Sequence, residues 1–157
     1  MERDYGVVHV ELRIRSSALE PTDITEVLGV SATRTLEKGA PIAVVEGRGV
    51  GVVRRASWIR DSIYFVDKDT EGLSAAVLDV TAEVDAAKVS ELKTRDPGCD
   101  IELLIDIWNA TDTAAPPRVV SAQALGRAAS LIDYLCISTY HGIPDRVAAA
   151  VGSRAPN

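Results

Sequence analysis

From Val7 to Arg15 the chain alternates: Val8, Val10, Leu12 and Ile14 fall on one side, and His9, Glu11, Arg13 and Arg15 on the other. A repeat of two is the period of a β-strand, whose successive side chains point to opposite faces. A helix would spread these four aliphatics around its axis instead of aligning them. The rest of the chain must therefore supply neighbours for this strand's hydrogen bonds and a layer to cover its apolar face.

Ile101 to Trp108 repeats the pattern. Ile101, Leu103, Ile105 and Ile107 share one face, while Leu104 and Trp108 stand with Glu102 and Asp106 on the other, so that face is partly covered. The two segments are expected in one sheet, with Val10, Leu12, Leu103 and Ile105 in its core. Ser57 to Val66, carrying Trp58, Ile63, Tyr64 and Phe65, reads as a further strand, and Tyr134 to Tyr140 as the last. Pro41–Val45 and Val50–Val53 are short β-prone runs. The Glu46-Gly47-Arg48-Gly49 stretch between them reads as the turn of a hairpin.

Helical signals fall between the strands. Pro21 suits the first position of a short helix that aligns Ile24, Val27 and Leu28, and Gly29 can end it in the left-handed conformation. Leu73 to Arg95 carries Val77, Val80, Val84 and Ala87 at helical spacing. Asp85 is placed to cap a second piece, and Asp96-Pro97-Gly98 ends it. Asn109–Arg118, with Pro116-Pro117, reads as a loop. Ser121 caps the next helix, with Val120 stapled onto Leu125 and a buried stripe of Leu125, Ala128, Ala129 and Ile132. Beyond Gly142 and Pro144 the tail to Asn157 reads as one frayed helical turn.

The order β-α-β-β-α-β-α-β predicts a single α/β (α+β) domain over residues 1–157, with its core at about 5–142. It is expected to be a two-layer sandwich of a mixed sheet packed by helices. Its pseudo-repeat is ferredoxin-like: strand, loop, helix and strand occur before Val66 and again from Asp100 to His141. With 157 residues the chain can bury about 68–70% of its unfolded surface. Aromatics are only 4% of it, so Val, Leu, Ile and Ala must build the core.

The formal net charge of −6 argues against nucleic acid and suits either a basic protein partner or plain solubility. Met-Glu-Arg-Asp-Tyr at the start lacks the apolar run of a secretory signal, and no apolar stretch approaches the roughly 18 residues that span a bilayer. A cytoplasmic protein with no membrane partner is expected. Cys99 and Cys136 form no CxxC pair and no zinc spacing, so neither a disulfide nor a metal is expected.

Catalytic patterns do not emerge. Gly47-Arg48-Gly49-Val50-Gly51 departs from G-x-G-x-x-G and precedes a β-prone run, and no Walker lysine follows. His9 and His141 are the only histidines, and a GxSxG elbow is absent. Glu102 and Asp106, four apart on one strand, stand roughly 13 Å from each other, beyond the about 5–9.5 Å of paired glycosidase carboxylates. No catalytic, cofactor-binding or metal-ligating residue is assigned. Arg54, Arg55 and Trp58 are the candidate interface anchors, because arginine and tryptophan carry much of the energy of protein contacts.

Leu12-Arg13-Ile14-Arg15, the helix Ile24-Thr25-Glu26-Val27-Leu28-Gly29, the Lys38-Gly39 step, and Arg54-Arg55 with Ser57-Trp58 occur in a recognisable order. In this the chain resembles the bacterial family called domain of unknown function 4279, over about residues 5 to 142. The resemblance implies no catalytic residues and no cofactor, and by analogy with some relatives an immunity or accessory role in toxin systems. The leading expectation is a non-enzymatic binding protein, in its most concrete form an immunity-like neutraliser of a basic toxin. A small-molecule-binding regulatory domain and an enzyme are the alternatives. A deep apolar pocket with converging polar groups would favour the regulatory domain.

Overall fold

The computed structural model describes residues 6–42, 51–66, 71–109 and 119–154. Its centre is strand β1 (Gly6–Ser16), which pairs antiparallel on both sides, with β5 (Ala56–Val66) and with β6 (Asp100–Asn109). The alternation read from the sequence sets the register. Val10 lies opposite Ile105, Leu12 opposite Leu103 and Ile14 opposite Ile101. These aliphatics are buried on the face that the helices cover. Burying each such side chain contributes about 1.5–3 kcal/mol, so this row is the main apolar support of the sheet.

Strand β2 (Arg34–Leu36) pairs antiparallel with the outer side of β5, and β7 (Tyr134–His141) pairs parallel with β6, giving the order β2-β5-β1-β6-β7. Helix α1 (Pro21–Leu28) links β1 to β2, which run parallel with β5 between them. Helices α2 (Glu71–Thr81) and α3 (Ala86–Arg95) link β5 to β6, which run parallel with β1 between them. These are two interleaved split βαβ units, the ferredoxin-like connectivity. The duplication therefore spans β1 to β6, and the expected second copy from Asp100 to His141 is instead an added βαβ step. That step runs through α4 (Ala122–Ala129) to β7.

Local chemistry explains the element ends. Gly29 takes φ +68 and its N–H closes on the Thr25 carbonyl, as a left-handed C-cap does. Asp85 accepts a hydrogen bond from the Ala87 N–H and starts α3. The α2–α3 break leaves carbonyls that two arginines satisfy: Arg60 donates to Ala82, and Arg127 donates to Thr81 and Val84. Ser121 caps α4 by accepting from the Ala124 N–H at 3.1 Å.

Several expectations are corrected. Strand β2, three residues with an arginine, was too short for periodicity to reveal. The buried face of α4 is Ala124 and Ala128, continued by Leu131, whereas Leu125 and Ala129 are exposed. Helix α4 packs against α2, and alanine lets two helices approach closely, so the face turns one residue from the predicted stripe. The tail forms a ten-residue helix, α5 (Asp145–Arg154), because Val147 docks on Val7 beside Ile63, Trp108 and Ile143. The β-prone runs pair as a separate two-stranded sheet of β3 (Pro41–Ile42) and β4 (Gly51–Val52). Their turn at Glu46–Gly49 and most of the Asn109–Arg118 loop lie outside the described residues. Among the described residues no helix is long and apolar enough to cross a membrane.

Candidate interaction surface

The three predicted anchors separate. Trp58 lies opposite Ile14 in the β1–β5 register, so it points into the helix-covered face, and it is 0% exposed. Its indole N–H donates to the Thr25 hydroxyl of α1 at 3.1 Å. A side chain buried in this way cannot contact a partner, so Trp58 is a core residue and not an anchor. Arg55 is committed within the chain: it pairs with Asp100 and donates to the carbonyls of Arg15 and Gly98, joining three segments at one end of the sheet. Arg54 alone of the three is exposed. The parity of Trp58 was hidden because β5 carries large apolar residues on both faces.

The sheet face away from the four packed helices carries a ladder of charges. Glu11, buried, accepts from Arg13 of its own strand and Arg34 of β2, and Arg15 pairs with Glu102 of β6. In the β1–β6 register Arg13 lies opposite Glu102 and Arg15 opposite Asp100, pairs of opposite sign that stabilise the pairing, whereas Glu11 faces Asp61 of β5 and relies on the two arginines. His9 sits 3.1 Å from Asp61 on one side and 3.8 Å from Asp106 on the other. Its ring stacks near Trp108, which stacks in turn on Tyr140 at 5.4 Å. The Thr33 hydroxyl donates to the same Asp61. The carboxylate thus stands between hydroxyl and imidazole, whereas nucleophilic catalysis needs the imidazole in the middle. His9 and Asp61 thereby tie β1 to β5. Among the described residues no three His, Cys, Asp or Glu side chains gather as metal ligands.

The two edges of the main sheet differ. β2 is short and its Arg34 carries a charge, two devices that discourage pairing with another chain. β7 spans eight residues, Tyr-Leu-Cys-Ile-Ser-Thr-Tyr-His, and from Tyr134 to Tyr140 it holds no acidic or basic side chain. Tyr134, Leu135, Ile137 and Tyr140 are 58%, 44%, 55% and 44% exposed. They populate both faces of the strand: Leu135 and Ile137 lie with Leu103 and Ile105 on the helix side, Tyr134 and Tyr140 with Glu102 and Trp108 on the other. Among the described residues the outer side of β7 has no neighbouring strand. Such an edge offers backbone donors and acceptors flanked by apolar side chains, the requirements for strand addition. Sequence reading found the strand but not its position, because its apolar residues look like those of a buried strand.

The model of a domain of unknown function, DUF4279, matches residues 6–140. The chain belongs to the DUF4279 family. The DUF4279 match takes in both split units and the β7 segment through Tyr140, and leaves α5 beyond it. No curated protein and no solved structure matches this DUF4279 chain. A groove in the DUF4279 domain between α1 and β2 is lined by Glu20, Pro21, Thr22, Thr25, Thr35 and Glu37. Two glutamates, three threonines and Pro21 line it, and no aromatic or large aliphatic side chain does.

Proposed function

We propose that this DUF4279 protein is a non-enzymatic interaction protein that receives an extended polypeptide along the open edge of β7. The observation that carries the reading is the exposed edge of β7, which has no acidic or basic side chain from Tyr134 to Tyr140. Soluble domains rarely leave such an edge bare, because it templates pairing with any available strand. The net charge of −6 supports an immunity-like form, in which long-range attraction to the acidic surface speeds encounter with a basic partner. The cytoplasm, where a neutraliser would meet such a partner, is the proposed site of action.

The test places a photo-reactive amino acid at Ile137 in the full chain within its native host, with Ser90 on α3 as the control position. A discrete polypeptide adduct from position 137, absent from position 90, is the expected result. No adduct from 137, or the same adducts from both positions, would refute the reading.

A further inference from the structure

We infer that the polypeptide seated on β7 is a second copy of this chain, joined antiparallel across a two-fold axis to make one ten-stranded sheet. This deepens the reading of β7 as a docking edge and rests on it. Three observations favour a second copy over an unrelated chain.

The first is charge. Each copy carries −6, so two copies repel wherever carboxylates would meet. The segment Tyr134–Tyr140 has no charged side chain, so a contact confined to it sets no like charges opposite each other. A basic polypeptide, by contrast, would find no carboxylate on the edge itself to pair with.

The second is the order of side chains. Tyr134-Leu135-Cys136-Ile137-Ser138-Thr139-Tyr140 has a tyrosine at each end and Ile137 at its middle. An antiparallel register centred on Ile137 sets each Tyr134 against Tyr140 of the second copy, Leu135 against Thr139, Cys136 against Ser138, and Ile137 against itself. Each pair then shares a sheet face, since residues an even number apart lie on the same side. The tyrosine pairs would extend the Trp108–Tyr140 stack across the junction. An isologous contact needs this kind of self-complementarity, and two-fold dimers are the commonest assemblies.

The third is what remains outside. Joining β7 to its copy removes the unprotected edge from both chains and leaves the two β2 strands as the outer edges. Those are already short and charged, so the assembly stops at two.

Light scattering on the purified full chain at micromolar concentration should give twice 16.7 kDa. Ile137→Glu would put two carboxylates together at the axis and should weaken the dimer by roughly thirtyfold or more, with an unchanged far-UV spectrum. Ser138→Cys tests the register independently. Oxidised glutathione should take the hydrogens of Cys136 and the new thiol of the other copy, leaving an interchain disulfide that reductant reverses, whereas Ser138→Cys with Cys136→Ser should not link. A monomeric wild type overturns the inference, as does a dimer untouched by Ile137→Glu or a link that forms equally in the double variant. The Ile137 photo-adduct distinguishes the failures. A monomer that still cross-links to a different polypeptide retires only the second copy, and a monomer with no adduct retires the docking edge as well.

Discussion

Trp58 sits where β5 passes beneath α1, with its ring in the core and its one polar atom on the Thr25 hydroxyl. Truncating it removes the largest fully buried side chain and leaves a cavity in the main core. Trp58→Ala is expected to cost about 3–5 kcal/mol in urea denaturation. A loss below 1 kcal/mol would contradict the core assignment. Asp96, also buried, accepts from the Ser16 hydroxyl at 2.6 Å and from the N–H groups of Ser17 and Gly98. It fastens the end of β1 to the turn before β6. The Ser16 hydroxyl, with the backbone N–H groups, holds its carboxyl below the ordinary value of 3.8 against the opposing effect of burial. A depressed carboxyl adds stability that is fully present above the ordinary value and is lost as pH falls through the folded-state value. Asp96→Asn should therefore be less stable than wild type at neutral pH, by about 1–3 kcal/mol for the disturbed buried hydrogen bonds. The gap should narrow below pH 3.8. A gap that stays constant to low pH would show that the charge plays no part.

Among the elements, β1 and β6 carry the fold because their alternation is clean and their apolar faces coincide in register. Leu103, 2% exposed, lies opposite Leu12 on that face. Leu103→Ala is expected to cost about 2–5 kcal/mol, read from the shift of the urea midpoint at constant slope. Leu135 is its neighbour on β7, in the same face one strand outward, yet it is largely exposed. Leu135→Ala should change the stability of the isolated chain by less than about 1 kcal/mol, because little apolar surface leaves water there on folding. Comparing these two leucines tests whether β7 is an edge. Equal losses would mean that β7 is covered within a single chain.

At the scale of the whole molecule, one continuous core joins β1, β5 and β6 to α1, α2, α3 and α4. A small second cluster places α5 on the opposite face through Val147 and Val7. Strand β1 contributes to both, through Val8 and Val10 on one side and Val7 on the other. The two faces should therefore unfold together. Trp58 reports the helix side and Trp108 the other, so fluorescence of the single-tryptophan variants Trp108→Phe and Trp58→Phe offers separate probes. Each should give a denaturation midpoint coincident with its own far-UV signal. A Trp108 transition well ahead of its far-UV signal would show that α5 detaches first.

The sequence by itself determined the alternating strands, the Gly29 and Asp85 boundaries and the Ser121 cap, because each depends on a residue's own backbone preference or on spacing along the chain. The charges of the second sheet face were legible too, as the polar half of the β1 pattern. Tertiary structure alone decided which strand is central, where β2 joins the sheet, how α4 turns its alanines inward and why the tail stays helical. Trp58 and β7 mark the limit most clearly. Both are apolar segments in strands, and one is buried while the other lies open. Burial depends on which elements happen to lie beside a strand in space, and periodicity along one chain segment carries no record of its neighbours.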